Sequence, residues 1–348
     1  MQYANCSQLE VLSYMKSRIF PVSWCLLIVF LCGFLYTYLY VSLPMQYPGK
    51  EKTLTIYPNT SFSAIVDKLY SKDILQNKLQ FRILAKVKGK TSSLQAGEYK
   101  INTQWSRWKL LRVLSKGEVV LRKLQVPEGL AWWEIAERVE ESGLASANSF
   151  RRAVHNQTLL DRYNIPSKNA EGFLFPETYS ISKSFQNSGK DIVKIMLKEF
   201  WEQSKRHLWE NKPPAFKRIR YIVILASLIE KETSARQEMK KIAGVFQNRL
   251  EKGMYLQCDP TVIYGIGREF DGNLQSSDLK NASNPYNTYR HPGLPPTPIC
   301  SPGIAALKAA KDPEDHSYLY FVSKGNGRHK FSRNLKEHNR AVRKYLLN

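Results

Sequence analysis

YIVILASLIEKET, residues 221–233, is the stretch from which the rest of the chain can be ordered. Its apolar residues recur at three- and four-residue spacing, the pattern of a helix with a buried stripe. At about 100° per residue, Glu230 and Glu232 point roughly 200° apart, so one helix face cannot use both. Leu225, Leu228 and Ile229 stand seven, four and three positions before Glu232, which puts Glu232 on the apolar stripe. Glu230 follows Val223, Ala226 and Ser227 on a more mixed face. A carboxyl on a buried stripe loses hydration, which disfavours its charged form and raises its pKa. Such an acid holds a proton at neutral pH and can give it to a leaving oxygen. The same periodicity also describes a stripe that ends in a charge reaching water. Spacing alone leaves both readings open.

Downstream, Gln237–Leu250 carries a second helical pattern, and Gly253 is placed to close it. Ser234 and Gln237 form an S-x-x-Q capping box, so the chain is expected to break and restart there. Pro292, Pro295, Pro296, Pro298 and Pro302 stiffen the following loop. Tyr318–Val322 and His329–Ser332 are a β-hairpin candidate, and Asn334 with Glu337 caps a terminal helix. Upstream, Asp191–His207 is amphipathic, and Trp209–Arg220 reads as a basic loop containing prolines.

An internal repeat of about 70 residues precedes this helical part. Leu54–Ser61 leads into Phe62, Ile65, Val66 and Leu69; Leu124–Gly129 leads into Trp133, Ile135, Ala136 and Val139. Each copy is a strand, a proline-containing turn and an amphipathic helix. A helix around Leu75–Val87, a strand at Gly97–Ile101 and a helix from about Trp105 to Leu114 lie between them. The opening strand–turn–helix is similar to LysM-type modules, which hold N-acetylglucosamine polymers; a plain scaffold repeat has the same pattern.

Ile19–Leu43 carries no charge and is long enough to cross a bilayer as a helix. Trp24 and Tyr36, Tyr38 and Tyr40 stand where interfacial belts would lie, and Lys16 and Arg18 favour a cytoplasmic N-terminus. The expected architecture is therefore α+β, with a single N-terminal transmembrane helix, a small LysM-like α+β domain and a mainly helical catalytic domain carrying a β-hairpin. Its parts are a cytoplasmic tail (1–18), the transmembrane helix (19–43), a linker (44–52), the LysM-like domain (53–125) and the catalytic domain (126–348). The expected place is the cell inner membrane, single-pass, with the bulk of the chain periplasmic. Met15 is itself a plausible start.

The 52 Lys and Arg against 30 Asp and Glu give +22, which calls for an anionic partner without choosing among nucleic acid, lipid surface and cell-wall polymer. The six histidines are dispersed without HExxH or a Cys/His cluster, so no metal is expected. No GxSxG, P-loop or Rossmann glycine pattern is present. Of the five cysteines, only Cys258 and Cys300 could meet in an oxidising compartment; the expectation is that they do not pair.

Several ordered blocks then narrow the chemistry. LASLIEKET (225–233), NRLEKGMYLQCDPTVIYGIG (248–267), YNTYRHPGLPPTPICSPG (286–303), YLYFV (318–322) and EHN (337–339) resemble the endolytic murein transglycosylase family, the MltG/YceG-like proteins. EGFLFPETY (171–179) matches a further block. The resemblance implies a lyase without cofactor that cuts the β-1,4 bond from N-acetylmuramic acid to N-acetylglucosamine inside nascent peptidoglycan strands. The muramyl 6-hydroxyl attacks its own anomeric carbon and leaves a 1,6-anhydro end. It implies Glu232 as the catalytic acid, in agreement with the helical-face argument. One carboxyl acts as acid and then as base, unlike the two-carboxylate glycosidases. Gln257, Asp259, Tyr286, Asn287, Thr288 and Tyr289 are the implied substrate-binding residues, and each could equally shape a turn; Glu177, counted with them, carries a weaker signal, as do Glu171 and His329. The family also implies peptidoglycan synthases nearby; no nucleic acid is expected as a partner, since the basic residues would sit outside the membrane. Thr297 stands where the family usually has Gly, and Ser301 where it has Asn.

Overall fold

A computed structural model describes residues 24, 27–46, 48–182, 188–209 and 213–347. These form two compact units, the second beginning at Arg122. The architecture is α+β, with helices and three two-stranded sheets.

In the first unit the order is β1 (Glu51–Ile56), α1 (Phe62–Ser71), α2 (Lys78–Val87), β2 (Gly97–Asn102) and α3 (Arg107–Lys116). β1 and β2 pair antiparallel with Leu54 opposite Tyr99. Alternation turns Leu54, Ile56, Tyr99 and Ile101 to one side, where they are buried with Ile65, Val66, Leu69 and Phe81. Each helix starts at a side-chain cap: Ser61 accepts from Ala64 N, Asn77 from Gln80 N and Ser106 from Lys109 N.

The expected transmembrane helix over 19–43 has to be corrected. Among the described residues, no helix is long and apolar enough to cross a membrane. The continuous helical run among the described residues covers 27–42, about 24 Å at 1.5 Å per residue, against an apolar bilayer core of roughly 30 Å. Its last turn makes polar contact with the folded unit: Arg107 Nη1 donates to Tyr40 O at 3.1 Å, and its guanidinium lies 4.3 Å from the Tyr40 ring centroid. Residues 19–23, 25 and 26, like the tail 1–18, lie outside the described residues.

The second unit begins within β3 (Leu121–Gln125) and continues through α4 (Trp132–Glu141), α5 (Ala147–Val154), α6 (Gln157–Arg162) and β4 (Thr178–Ser182), which pairs with β3. The repeat has a register of 70 positions. Asn59 and Gly129, and likewise Asp73 and Gly143, all have positive φ, at 62°, 82°, 50° and 66°. Asn59 and Asp73 bracket α1, and Gly129 and Gly143 bracket α4, each a ten-residue helix, so the same two left-handed turns frame both copies.

The helical core follows: α7 (Gly189–His207), α8 (Phe216–Glu232), α9 (Arg236–Glu251), α10 (Asp259–Ile266), α11 (Ser276–Lys280) and α12 (Ile304–Lys311). It ends with the antiparallel hairpin β5 (Tyr320–Ser323) and β6 (His329–Ser332), then α13 (Leu335–Leu346). α8 starts five residues before the stretch expected to be helical, and Ile222 through Ile229 are buried without a break. It is a central helix, apolar all round, rather than one with a single buried stripe. Ser234 does not cap α9. The N-cap is Ala235, whose N–H donates to Thr233 Oγ1 at 3.0 Å.

Candidate active site

α8 is held by the core up to Ile229, so the carboxyls just beyond it have fixed stations. Glu230 Oε2 accepts from Gly303 N at 2.9 Å, at the N-terminus of α12. Its pKa is raised, by burial above all. Glu232, the last helical residue, turns elsewhere. It stands on the rim shared by two depressions of about 310 and 420 Å³. The first is lined by Arg249, Gln257, Asp259, Tyr289, Tyr320 and His338; the second by Thr233, Ser234, Phe321 and His329.

Burial pushes the Glu232 carboxyl up, and the neighbouring Asp259 adds to the effect. Opposing it are the Cys258 thiol, which donates to Glu232 Oε1 at 3.0 Å, and the positive field of His329 and Arg249. Arg249 does not ion-pair with Glu232. Its Nε donates to Leu319 O at 2.6 Å and its Nη1 to Leu256 O at 2.8 Å, tying α9 to the hairpin and to the loop before α10. A carboxyl with a thiol donor and no salt bridge suits proton donation better than a permanently charged one.

Only some of the residues singled out in the sequence share this rim. Gln257, in a left-handed conformation at φ 53°, Asp259 and Tyr289 line the first depression with Glu232. Tyr289 Oη donates to Asp259 Oδ1 at 2.5 Å. Thr288 is buried behind them; its Oγ1 accepts from Cys258 N at 3.0 Å and meets Thr261 Oγ1 at 2.9 Å. Asn287 is fully buried, and its Nδ2 donates to the carbonyls of Asp278, Leu279 and Asn281 at 3.1, 3.1 and 2.8 Å. These two shape the loop beneath the rim. Tyr286 lies in a different cluster, its ring centroid 4.8 Å from that of Tyr264 and its hydroxyl 2.8 Å from Thr297 Oγ1. Glu177 is exposed at the start of β4, where its Oε1 accepts from Thr178 N at 2.8 Å. It lines neither depression.

His329 is brought to the rim more firmly than its weak sequence signal suggested. Its Nδ1 lies 2.8 Å from Glu238 Oε2, which also accepts its backbone N–H at 3.0 Å. Sequence reasoning missed Glu238, Arg249, Cys258, Tyr320 and His338. All except Glu238 fall inside the quoted blocks, whose family resemblance was the available signal. Among the described residues, no group of His, Cys, Asp and Glu could hold a metal ion. Cys258 and Cys300 are both buried free thiols; Cys300 Sγ lies 3.4 Å from Ser227 O.

A profile of the YceG-like family matches residues 54–344, which is most of the chain and includes every residue of the Glu232 rim. The chain belongs to the YceG-like family. This YceG-like chain is 33% identical over 311 residues to the endolytic murein transglycosylase of Bacillus subtilis (strain 168), covering 84% of each. It is 28% identical over 327 residues to that of Streptococcus pneumoniae serotype 2 (strain D39 / NCTC 7466), spanning 85% of this chain and 59% of the pneumococcal protein. A crystal structure of a yceG-like protein from Listeria monocytogenes is 30% identical, with a TM-score of 0.55, over 84% of this chain and 99% of that one.

The two departures from the family pattern have different consequences here. Thr297 is used: its hydroxyl meets Tyr286 Oη and donates to Pro298 O at 2.9 Å. Ser301 Oγ is buried without a hydrogen-bond partner, while the Ser301 backbone pairs with Gly129 N and Leu130 O.

Proposed function

We infer that this YceG-like chain cuts peptidoglycan glycan strands internally as a lytic transglycosylase, a carbon–oxygen lyase acting on polysaccharide. The observation that carries the reading is the station of Glu232: half-buried, its pKa raised, hydrogen-bonded to the Cys258 thiol and open to two depressions. Protonated Glu232 gives its proton to the oxygen of the bond from N-acetylmuramic acid C1 to N-acetylglucosamine O4, and that bond breaks. The muramyl O6 bonds to C1, and its proton returns to the Glu232 carboxylate. No water is consumed and the enzyme ends as it began, with a 1,6-anhydro end on the strand. Neither a metal nor a cofactor enters the cycle.

Gln257, Asp259 and Tyr289 supply the substrate contacts nearest Glu232 in this reading, while Asn287 and Thr288 hold the loop that presents them. Residues 126–348 form the catalytic domain, and 53–125 form the LysM-like domain, which holds N-acetylglucosamine-containing strands. Cutting nascent strands terminates their elongation, which sets the work close to peptidoglycan synthases. The bulk of the chain belongs on the periplasmic side of the cell inner membrane, because that is where its substrate lies. A reporter fused after Asn348 should be active only outside the cytoplasm, and a cytoplasmic signal rejects that placement. Mass spectrometry of products from purified sacculi tests the chemistry. Anhydro-muropeptides are expected; reducing ends would make the chain a hydrolase, and no product at all would leave it a wall-binding protein.

A further inference from the structure

A third depression, of about 390 Å³, lies beside the Glu232 rim and has no part in the proton transfers described above. Its walls come from the start of α4, from Lys231 and from α10 with the short turn after it. Two features connect it to the rim. Pro260 lines both this depression and the first Glu232 depression, and Lys231 is the chain neighbour of Glu232.

The lining is aromatic and hydrogen-bonding together. Trp133 and Tyr264 have ring centroids 4.9 Å apart at 37°. Tyr264 in turn lies 4.8 Å from Tyr286, so three rings run as a ladder from the depression into the core. Arg268 Nη2 donates to Glu137 Oε1 at 2.8 Å, both residues belonging to the lining. Flat apolar faces edged by charged hydrogen-bonding groups match a pyranose ring, which has apolar C–H faces and a rim of hydroxyls.

The ladder is braced from beneath. Glu171 is fully buried, and its Oε2 accepts from Tyr264 Oη at 2.9 Å and from Trp132 N at 3.1 Å, while Oε1 accepts from Gly172 N at 3.3 Å. One carboxyl thus fixes the ring of one wall and the backbone of the helix that carries the other. Burial pushes it up to about 8, so it sits there as a neutral acid at neutral pH. A buried acid is a costly way to hold a ring that has nothing to meet. It is a reasonable way to preorganise one that binds.

We propose that the Trp133–Tyr264 depression is a distal saccharide subsite, which takes an N-acetylhexosamine ring of the same glycan strand whose scissile bond lies at Glu232. The proposal rests on the transglycosylase reading and extends it: it names the residues that require a long strand and so favour internal cuts. The subsite adds binding that is equal in the ground and transition states, so its loss raises KM and leaves kcat.

The test compares the full chain with Trp133→Ala and with Arg268→Ala, a surface change that leaves the core alone. Two substrates are used: long uncrosslinked glycan strands, and the disaccharide N-acetylmuramyl-β-1,4-N-acetylglucosamine, which holds the scissile bond and no further ring. With folding checked by thermal melting, each variant should show a roughly tenfold rise in KM on long strands at unchanged kcat, and no change on the disaccharide. Equal losses on both substrates, a fall in kcat alone, or no change in either variant overturns the subsite. If the unmodified chain cuts neither substrate, the transglycosylase reading itself has failed. Tryptophan fluorescence with N-acetylglucosamine hexamer then decides the subsite separately: a quench lost in Trp133→Ala supports it, and a quench unaffected by that change rejects it.

Discussion

The Cys258 thiol donates to Glu232 Oε1 across 3.0 Å, and Cys258 is held for this by its own backbone N–H on Thr288 Oγ1 at 3.0 Å. The contact stabilises the charged carboxylate and so works against the burial that raises the Glu232 pKa. Cys258→Ala removes the donor. The Glu232 pKa should then rise further, and the alkaline limb of the pH–rate profile, where the acid loses its proton, should move to higher pH. Cys258→Ser keeps a donor and should shift it much less. Profiles of the two variants that superimpose, both displaced or neither, would show that the thiol does not tune Glu232.

Glu232→Gln keeps the shape of the side chain and cannot cycle a proton at neutral pH. Anhydro-muropeptide production should fall by about 10²–10⁴-fold, the usual worth of general acid–base catalysis. Glu230 binds Gly303 N and faces neither depression around Glu232. Glu230→Gln should therefore do far less harm to turnover and show its effect in stability. Anhydro ends measured at matched folded concentration separate the two; full turnover in Glu232→Gln with none in Glu230→Gln would reverse the assignment.

Glu171 makes stability depend on pH in an unusual direction. Its folded pKa, about 8, lies above the ordinary carboxyl range. At low pH both folded and unfolded chains are protonated, and the group carries no pH-dependent penalty. As pH rises toward 8 the unfolded chain releases its proton while the folded chain keeps it, so stability falls; above about 8 the loss is complete. Each tenfold gap in proton affinity is worth about 1.4 kcal/mol. Glu171→Gln should flatten this decline. Melting temperatures from pH 5 to 8.5 check it, and parallel curves for the two proteins would mean that Glu171 does not cause the slope.

Asn287 closes the loop between α11 and the proline-rich segment by donating to three carbonyls. Asn287→Ala leaves those acceptors without their donor inside the protein, at a cost of about 1–3 kcal/mol for an unmade buried bond. Urea unfolding should show a lower midpoint at an unchanged slope. A midpoint equal to that of the parent chain would show that water or loop movement replaces the amide at no cost.

Much of this molecule is legible locally. The repeat could be read because Leu54 and Leu124, Ile65 and Ile135, and Leu69 and Val139 recur 70 positions apart, and the same chain positions require left-handed turns. The hairpin could be read because alternation and a glycine-containing turn are properties of neighbouring residues, and Asn334 caps α13 through Glu337 N, three residues on. Helical angle separates Glu230 from Glu232, whatever surrounds the helix.

Three things were decided only by tertiary structure. The stretch Ile222–Ile229 of α8 is buried on all sides, which periodicity cannot report when polar faces are absent. Tyr286 through Tyr289 are consecutive in the chain, yet Tyr289 reaches the Glu232 rim, Asn287 and Thr288 go inward, and Tyr286 joins Tyr264. The partners that set the Glu232 environment, Cys258, Arg249 and His329, come from three other segments of the chain. Sequence fixes the intrinsic chemistry of a carboxyl and the angle at which a helix presents it. Its proton affinity depends on the water removed and the charges brought near, and those belong to segments that meet only when the chain has folded.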